Sequence, residues 1–277
     1  MSISVLILTL NEEENLPRCL DSVAWADDVL VVDSFSADRT VEVAESMGAR
    51  VLQRSFDNFA GQRNFGLLEG GLRYDWVLHL DADEVVPPEL RDELLAIVEH
   101  GDKDAYRVPS KMMLHGKWLR RAGMYPTYQV RFGRKESLSF VQVGHGQREA
   151  LPPERIGTLE NALVHYSFSK GLDDWFEKHN RYSTAEAVQA LKEARDGGID
   201  WSGLASGDGT RRRRALKSLA ARMPFRPSLR FLYMYVFRLG FLDGAAGYTY
   251  CRLLAMYERM TVLKMKELRL KEEHGLL

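Results

Sequence analysis

Four short apolar runs alternate with segments of helical spacing over residues 3–99, and the runs break off into polar residues. Residues 3–8 form the first run, Asp28–Asp33 (DVLVVD) the second, residues 51–52 begin a third and residues 75–80 (DWVLHL) form the fourth. Runs this short and continuous are expected of strands buried on both faces. Between them, residues 11–24 carry Leu16, Leu20 and Val23 at helical spacing, with Pro17 near the start. Residues 38–47 read as a helix closed by Gly48, residues 57–69 as one ending at Gly70-Gly71, and residues 87–99 as one with Pro88 near its start. Strand and helix repeating at this spacing predict a parallel α/β sheet.

The middle changes character. Residues 106–108, 129–132 and 140–143 read as short strands between polar turns, and residues 172–192 as a helix. Residues 196–210 (DGGIDWSGLASGDGT) are expected to form a flexible loop. From 211 to 238 there are nine basic residues and no acidic one, around the apolar block FLYMYVF at 231–237. A turn at 240–244 and a second helix at 245–270 follow. The expected organisation is an α/β domain over 1–195, divided into parts 1–105 and 106–195, then a loop over 196–210 and a basic helical segment over 211–277.

Composition narrows the classes. The chain has 277 residues, room for one large domain or one domain plus a helical appendage. With 28% charged and 45% hydrophobic residues it is neither disordered nor a multi-span membrane protein. Lys and Arg number 38 against 39 Asp and Glu, so a globally basic nucleic-acid binder is not expected. Cys19 and Cys251 form neither metal spacing nor a disulfide framework, which suits a reducing compartment. Neither a secretory signal nor a run of about 18 uncharged apolar residues is present.

Chemistry concentrates where the runs end. Asp81-Ala82-Asp83 follows the fourth run directly. On an extended chain, carboxylates at i and i+2 point to one side, and open α/β sheets bind ligands at the C-terminal ends of their strands. Two anionic oxygen ligands suit Mg²⁺ or Mn²⁺ carrying a diphosphate. A solvated turn or a helix N-cap uses the same residue types. The first run leads into Thr9, Leu10, Asn11, Glu12 and Glu13, the second into Asp33, Ser34, Phe35 and Ser36, so both are expected to line the crevice beside Asp81. Acidic groups there can accept from a base N–H or a ribose hydroxyl, while Asn11 or Ser36 alone reads equally as a helix cap. The glycine patterns of dinucleotide folds and P-loops are absent.

The segments SVLILTLNEEENLPRCLDSV, DDVLVVDSFSADRTVEVAE, GARV, FAGQRNFGL and WVLHLDADEVVPPEL resemble, as an ordered set, family 2 glycosyltransferases of the GT-A fold. Later segments, RVPSKMMLHGKWLRRAGMYPTYQVRFGRK, LVHYSFSKGLDDWFEKHNRYS and PSLRFLYMYVFRLGFLDGAAGY, resemble bacterial lipopolysaccharide-core β-glucosyltransferases, whose basic, aromatic C-terminal helices lie on the membrane surface. The resemblance implies an α/β fold with a mixed, mostly parallel sheet. It makes Asp81 and Asp83 the metal and diphosphate motif, with Asp83 the more direct ligand. Thr9, Asn11, Glu12 and Glu13 match the first nucleotide loop, Asp33 the carboxylate that reads the base, with Ser34 beside it, and Arg63 and Asn64 the segment that closes over the nucleotide. The implied donor is a UDP-sugar, the cofactor a divalent cation, and the reaction a single inverting displacement.

Such a displacement uses a carboxylate base, and the 143–149 region (VGHGQRE) is its candidate location, with Glu149 favoured over His145. Glu149 paired with Arg148 on the surface is the bland alternative. His165, between apolar neighbours, is expected either to pack or to join the metal shell. Lys178 and Arg181 could neutralise a diphosphate or lie on a solvated helix face. His79 is expected to be packed, and Trp118, Tyr125 and Tyr128 to be core aromatics or an acceptor-sugar platform. Arg211, Arg212, Arg213, Arg214, Lys217, Arg222, Arg226 and Arg230, with Phe231, Tyr233 and Tyr235, fit an anchor on an anionic membrane surface. A helical hairpin packed on protein, at a homo-oligomer interface, competes with that reading. The expected function is sugar transfer from a nucleotide-sugar to a lipid-linked acceptor such as lipopolysaccharide core, peripheral to the cytoplasmic face of a bacterial inner membrane. Sugar transfer to polyprenyl phosphate and a non-catalytic membrane-surface module that binds nucleotide-sugars are the alternatives.

Overall fold

The apolar runs become the strands β1 (Ile3–Thr9), β2 (Asp28–Asp33), β3 (Arg50–Gln53) and β4 (Trp76–Asp81), parallel in the order β3-β2-β1-β4. The computed structural model describes residues 3–143, 146–196, 201–207, 212, 215 and 225–275. Helices α1 (Leu16–Ser22), α2 (Thr40–Ser46) and α3 (Phe59–Glu69) connect the strands. Successive side chains of β1 go to opposite faces. Ile3, Val5 and Ile7 share a core with Leu16, Leu20 and with Leu90 and Leu94 of α4 (Pro88–His100). Leu6 joins Leu30, Val32, Ala60 and Leu67 on the α3 side. Both faces are covered, which explains why the run lacks polar alternation. Gly66 lets α3 lie close to the sheet: a Cβ there would stand 2.3 Å from Leu6 Cδ1.

Beyond β4 the sheet is mixed. Strand β8 (Thr127–Arg134) runs antiparallel to β4 and to β6 (Ala105–Leu114); β12 (Leu163–His165) is parallel to β6, and β5 (Glu84–Val85) antiparallel to β12. With β7 (Lys117–Trp118) and β11 (Ile156–Thr158) on β6, the sheet has ten strands among the described residues. Strands β9 (Phe140–Val143) and β10 (Gly146–Glu149) form a separate hairpin. Chain order carries β2 and β3 to one side of β1 and β4 to the other, so the topological switch point lies between β1 and β4.

Several expected boundaries move. The first helix begins at Leu16 rather than at 11, because Pro17 sits in its first turn and Asn11 adopts a left-handed φ of 55°. Asp81 ends β4 and the chain turns at Ala82-Asp83, so the two carboxylates are not neighbours on one extended strand. By packing, the chain forms two units: Met1–Arg120 with Met124–Lys170, and Arg121–Gly123 with Gly171–Leu277. Helix α5 (Gly171–Asp196) thus belongs to the second unit, whereas the sequence reading ran the α/β domain to 195.

Within the second unit, α5 packs on the helix Gly244–Glu273. His179 stacks on Trp175 at 3.7 Å and meets Tyr257 edge-on at 5.1 Å. Lys264 Nζ donates to Asn180 Oδ1 at 2.7 Å and Ser183 Oγ at 2.8 Å. The expected loop contains a short helical turn, Trp201–Leu204; residues 197–200 and 208–210 lie outside the described residues. Arg226–Leu232 is helical and continues into the π-helical turn Tyr233–Phe237. Met234 is buried with Ala122 and Cys251, and Phe231 and Tyr235 pack on that cluster. Leu229, Leu232, Tyr233, Val236 and Phe237 are exposed, so the block is apolar all round but covered on one side only. Arg226 pairs with Glu258 at 2.7 Å. Arg212 is exposed; Arg211, Arg213, Arg214, Lys217 and Arg222 lie outside the described residues. Among the described residues no helix is long and apolar enough to cross a membrane.

Candidate active site

The β1, β2 and β4 ends meet at the switch point, with Thr9 opposite Asp33 and Leu8 opposite Asp81 in register. Asp33 is 0% exposed. Thr9 Oγ1 donates to its Oδ1 at 2.9 Å, Ser36 N and Gln53 Nε2 donate to Oδ2 at 2.9 and 3.2 Å, and the Ser36 hydroxyl donates to Oδ1. The resemblance makes Asp33 a reader of the base. Its oxygens accept from donors of this chain, which tie the turn at 34–36 to Thr9. Ser34 stays half-buried at the rim, its hydroxyl accepting from Gln62 Nε2 at 2.8 Å.

The first loop is tied to the same turn. Asn11 N donates to Ser36 Oγ at 2.8 Å and its Oδ1 accepts from Ala37 N at 2.7 Å. Glu12 N donates to Thr40 Oγ1 at 2.7 Å and Glu13 N to Asp38 Oδ2 at 3.1 Å. Glu13 also accepts from Arg39 N at 3.1 Å. The Glu12 carboxylate accepts from Asn15 Nδ2 at 2.8 Å and from Lys170 Nζ at 2.5 Å. Burial raises the Glu12 carboxyl above its ordinary pKa despite Asn15 and Lys170. The sequence reading passed over Lys170, which sits 158 positions downstream of Glu12.

Asp81 and Asp83 have different partners. Arg63 Nη2 donates to Asp81 Oδ1 at 2.7 Å and Arg131 Nη2 to Asp81 Oδ2 at 2.6 Å. Arg131 also reaches Glu84 Oε1 at 2.8 Å, and Glu84 Oε2 accepts from the Asp81 N–H at 2.9 Å. Burial would raise the Asp81 carboxyl, but Arg131 and Arg63 outweigh it and hold Asp81 well below the usual carboxylate range. Burial raises Glu84, and Arg131 offsets only part of that. Burial and the neighbouring Arg131 bring Arg63 down to about 10. Arg63 is 1% exposed and clamps Asp81.

Asp83 faces His165, Oδ2 to Nε2, at 3.1 Å, and Tyr166 N donates to the Asp83 carbonyl at 2.8 Å. Burial lowers the imidazole and Asp83 more than offsets it, leaving His165 raised to about 9. A carboxylate beside an imidazole suits Mn²⁺ once the imidazole gives up its proton, whereas Mg²⁺ would take the carboxylate; diphosphate oxygens and water would complete either shell. No group of three His, Cys, Asp or Glu side chains among the described residues could hold an ion without such help. Asp81 beside this pair has both oxygens on guanidinium groups.

Asn64 ties α3 to the next hairpin. Its Nδ2 donates to Phe140 O at 2.8 Å and its Oδ1 accepts from Phe140 N at 2.9 Å, so the amide docks the β9–β10 hairpin on α3. Glu149 closes that hairpin, half-buried and paired in register with Phe140. His145, the other candidate base, lies outside the described residues. His79 is packed as expected, fully buried and edge-on to Phe140 at 5.2 Å, its pKa far below normal through burial. Trp118 meets Tyr125 edge-on at 4.9 Å with Lys111 5.3 Å from its ring, and Tyr128 is exposed. Lys178 pairs with Asp174 at 2.9 Å, and Arg181 is exposed on α5.

The model of Glycosyl transferase family 2 matches residues 4–144. A protein of Rickettsia bellii (strain RML369-C), described as an uncharacterized glycosyltransferase, is 31% identical over 205 residues, covering 70% of this chain and 69% of its own length. The lipopolysaccharide core biosynthesis glycosyltransferase LpsC of Rhizobium meliloti (strain 1021) is 26% identical over 283 residues, 96% of this chain and 92% of that protein. Among solved structures, glucosyl-3-phosphoglycerate synthase of M. tuberculosis is 18% identical with a TM-score of 0.48, over 70% of this chain and 80% of that one. TarS of S. aureus is 15% identical with a TM-score of 0.44, and the match spans only 55% of the TarS chain.

Proposed function

The chain belongs to glycosyl transferase family 2, and from that membership we propose that it moves a sugar from a UDP-sugar to a hydroxyl of a lipid-linked acceptor, with inversion at the anomeric carbon. The observation that carries the reading is the Asp83–His165 pair, set beside a clamped Asp81 at the switch point of the sheet. An acceptor of the lipopolysaccharide-core class is supported by the likeness to LpsC over 96% of this chain.

Thr9, Asn11, Glu12, Glu13 and Ser34 form the polar rim on which the nucleotide rests. Asp83 and His165 would hold Mg²⁺ or Mn²⁺, which supplies Lewis-acid stabilisation of a departing diphosphate. Arg63 and Arg131 keep Asp81 ionised and fixed as the floor of the site. Glu149 is the proposed base that takes the acceptor hydroxyl proton, a contribution of about 10²- to 10⁴-fold. In the second unit, the exposed apolar residues from Leu229 to Phe237 and the neighbouring basic run suit the surface of an anionic membrane. That would place the enzyme at the cytoplasmic face of a bacterial inner membrane.

Calorimetry of UDP- and GDP-sugars with Mn²⁺ or Mg²⁺ tests the reading. A UDP-sugar is expected to bind, and no binding by any nucleotide-sugar would overturn it. Asp83→Ala should abolish metal-dependent donor affinity and turnover with little change in melting temperature, since Asp83 lies in a turn outside both hydrophobic cores. Unchanged turnover would remove Asp83 from the mechanism.

A further inference from the structure

Phe35, at the strand-end rim, combines a large exposed apolar side chain with a left-handed backbone. It follows Ser34 directly and has a φ of 60°, a left-handed backbone that bulky L side chains rarely adopt. Its side chain belongs to neither hydrophobic core of the first unit, and the residue is 56% exposed. Strain of this kind persists only where the surroundings over-determine it. They do so here. Ser34 N donates to Thr9 O at 2.9 Å on one side of Phe35. On the other, Ser36 N donates to Asp33 Oδ2 at 2.9 Å, and Asn11 N donates to Ser36 Oγ at 2.8 Å. The buried Asp33 carboxylate anchors this arrangement. The turn is thus held by hydrogen bonds on both flanks in a form that leaves an exposed aromatic residue just past the end of β2.

We propose that Phe35 is a stacking platform for the nucleobase of the donor, so that the base is held by a ring face while Asp33 fixes the turn that carries it. This rests on the nucleotide-sugar reading above. Every base has a π-face, so a stack contributes affinity without demanding that Asp33 release its own partners.

The test compares wild type, Phe35→Asn and Phe35→Tyr. Asn tolerates a left-handed φ and so keeps the turn while removing the ring; Tyr keeps the ring. Calorimetry with UDP and, separately, inorganic pyrophosphate, both with Mg²⁺, reads base binding apart from diphosphate binding. Phe35→Asn should bind UDP about 5- to 150-fold more weakly, the equivalent of losing one base–aromatic stack. Its pyrophosphate affinity and melting temperature should match wild type, and Phe35→Tyr should bind UDP like wild type. Equal UDP affinity in Phe35→Asn, or an equal loss for pyrophosphate, would overturn the proposal. So would unchanged UDP affinity with reduced transfer, which would make the ring part of the acceptor site. Failure of wild type to bind any nucleoside diphosphate would overturn the nucleotide-sugar reading itself and this inference with it, whereas UDP binding that ignores Phe35 would overturn this inference alone.

Discussion

Arg131 shows how much of the site is decided by single buried charges. Its guanidinium bridges Asp81 and Glu84 at 2.6 and 2.8 Å while the residue is 3% exposed. Removing it leaves the buried Glu84 without its guanidinium and Asp81 with Arg63 alone. Arg131→Met is therefore expected to cost about 3–5 kcal/mol of stability, the range for breaking a buried ion pair from one side. Arg131→Lys should cost less, because an ammonium keeps the charge, and both contacts are made by the single nitrogen Nη2. Urea unfolding measures both, and a midpoint for Arg131→Met equal to wild type would mean that the cluster does not stabilise the fold. Sequence alone marked Asp81 and Asp83 because they sit two apart at the end of an apolar run. It could not mark Arg131, whose partner lies 50 positions earlier and is reached only once β8 is paired with β4. Glu84 was passed over for a different reason: in a turn rich in acids, nothing local tells a buried acceptor from a solvated one.

At the level of elements, the parallel strands were legible because burial on both faces writes a continuous apolar run. The short strands β5, β7, β10, β11 and β12, of two to four residues each, write no such period and were not. The β9–β10 hairpin was half seen. Phe140–Val143 read as a strand, but its docking on α3 depends on Asn64, a residue assigned from resemblance to the nucleotide. That docking gives Glu149 a fixed seat, since the strand it closes pairs with a Phe140 whose backbone is held at both N–H and C=O. If the acceptor is a hydroxyl, Glu149→Gln should lower turnover about 10²- to 10⁴-fold, the scale of general base catalysis, while calorimetric donor affinity stays at the wild-type value. Unchanged turnover would remove Glu149 as the base, and would favour an acceptor that is already anionic, such as a polyprenyl phosphate.

For the molecule as a whole, the remaining question is where its substrate lies. The formal net charge is −1, yet residues 211–238 hold nine cations and no anion. Whole-chain charge therefore conceals a local patch that an anionic leaflet would attract at about 1 kcal/mol per Lys or Arg near the surface. The exposed ring of Phe237 and the half-exposed Tyr233 add apolar and amphipathic surface of the kind found at headgroup depth. Replacing Arg211, Arg212, Arg213 and Arg214 by Ser removes four charges and should weaken binding to anionic vesicles by up to about a thousandfold, less at physiological salt because the run is screened within roughly 8 Å. Neutral vesicles should show little change, and added salt should mimic the substitution on anionic ones. Transfer to a short water-soluble acceptor should persist, because Asp83, His165 and Glu149 all belong to the other packing unit. Vesicle sedimentation across a salt series measures this directly. Binding that ignores both salt and the four substitutions would rule out an electrostatic anchor and leave the exposed apolar side of Leu229 to Phe237 as a surface for protein, with a second copy of this chain the partner to test by light scattering.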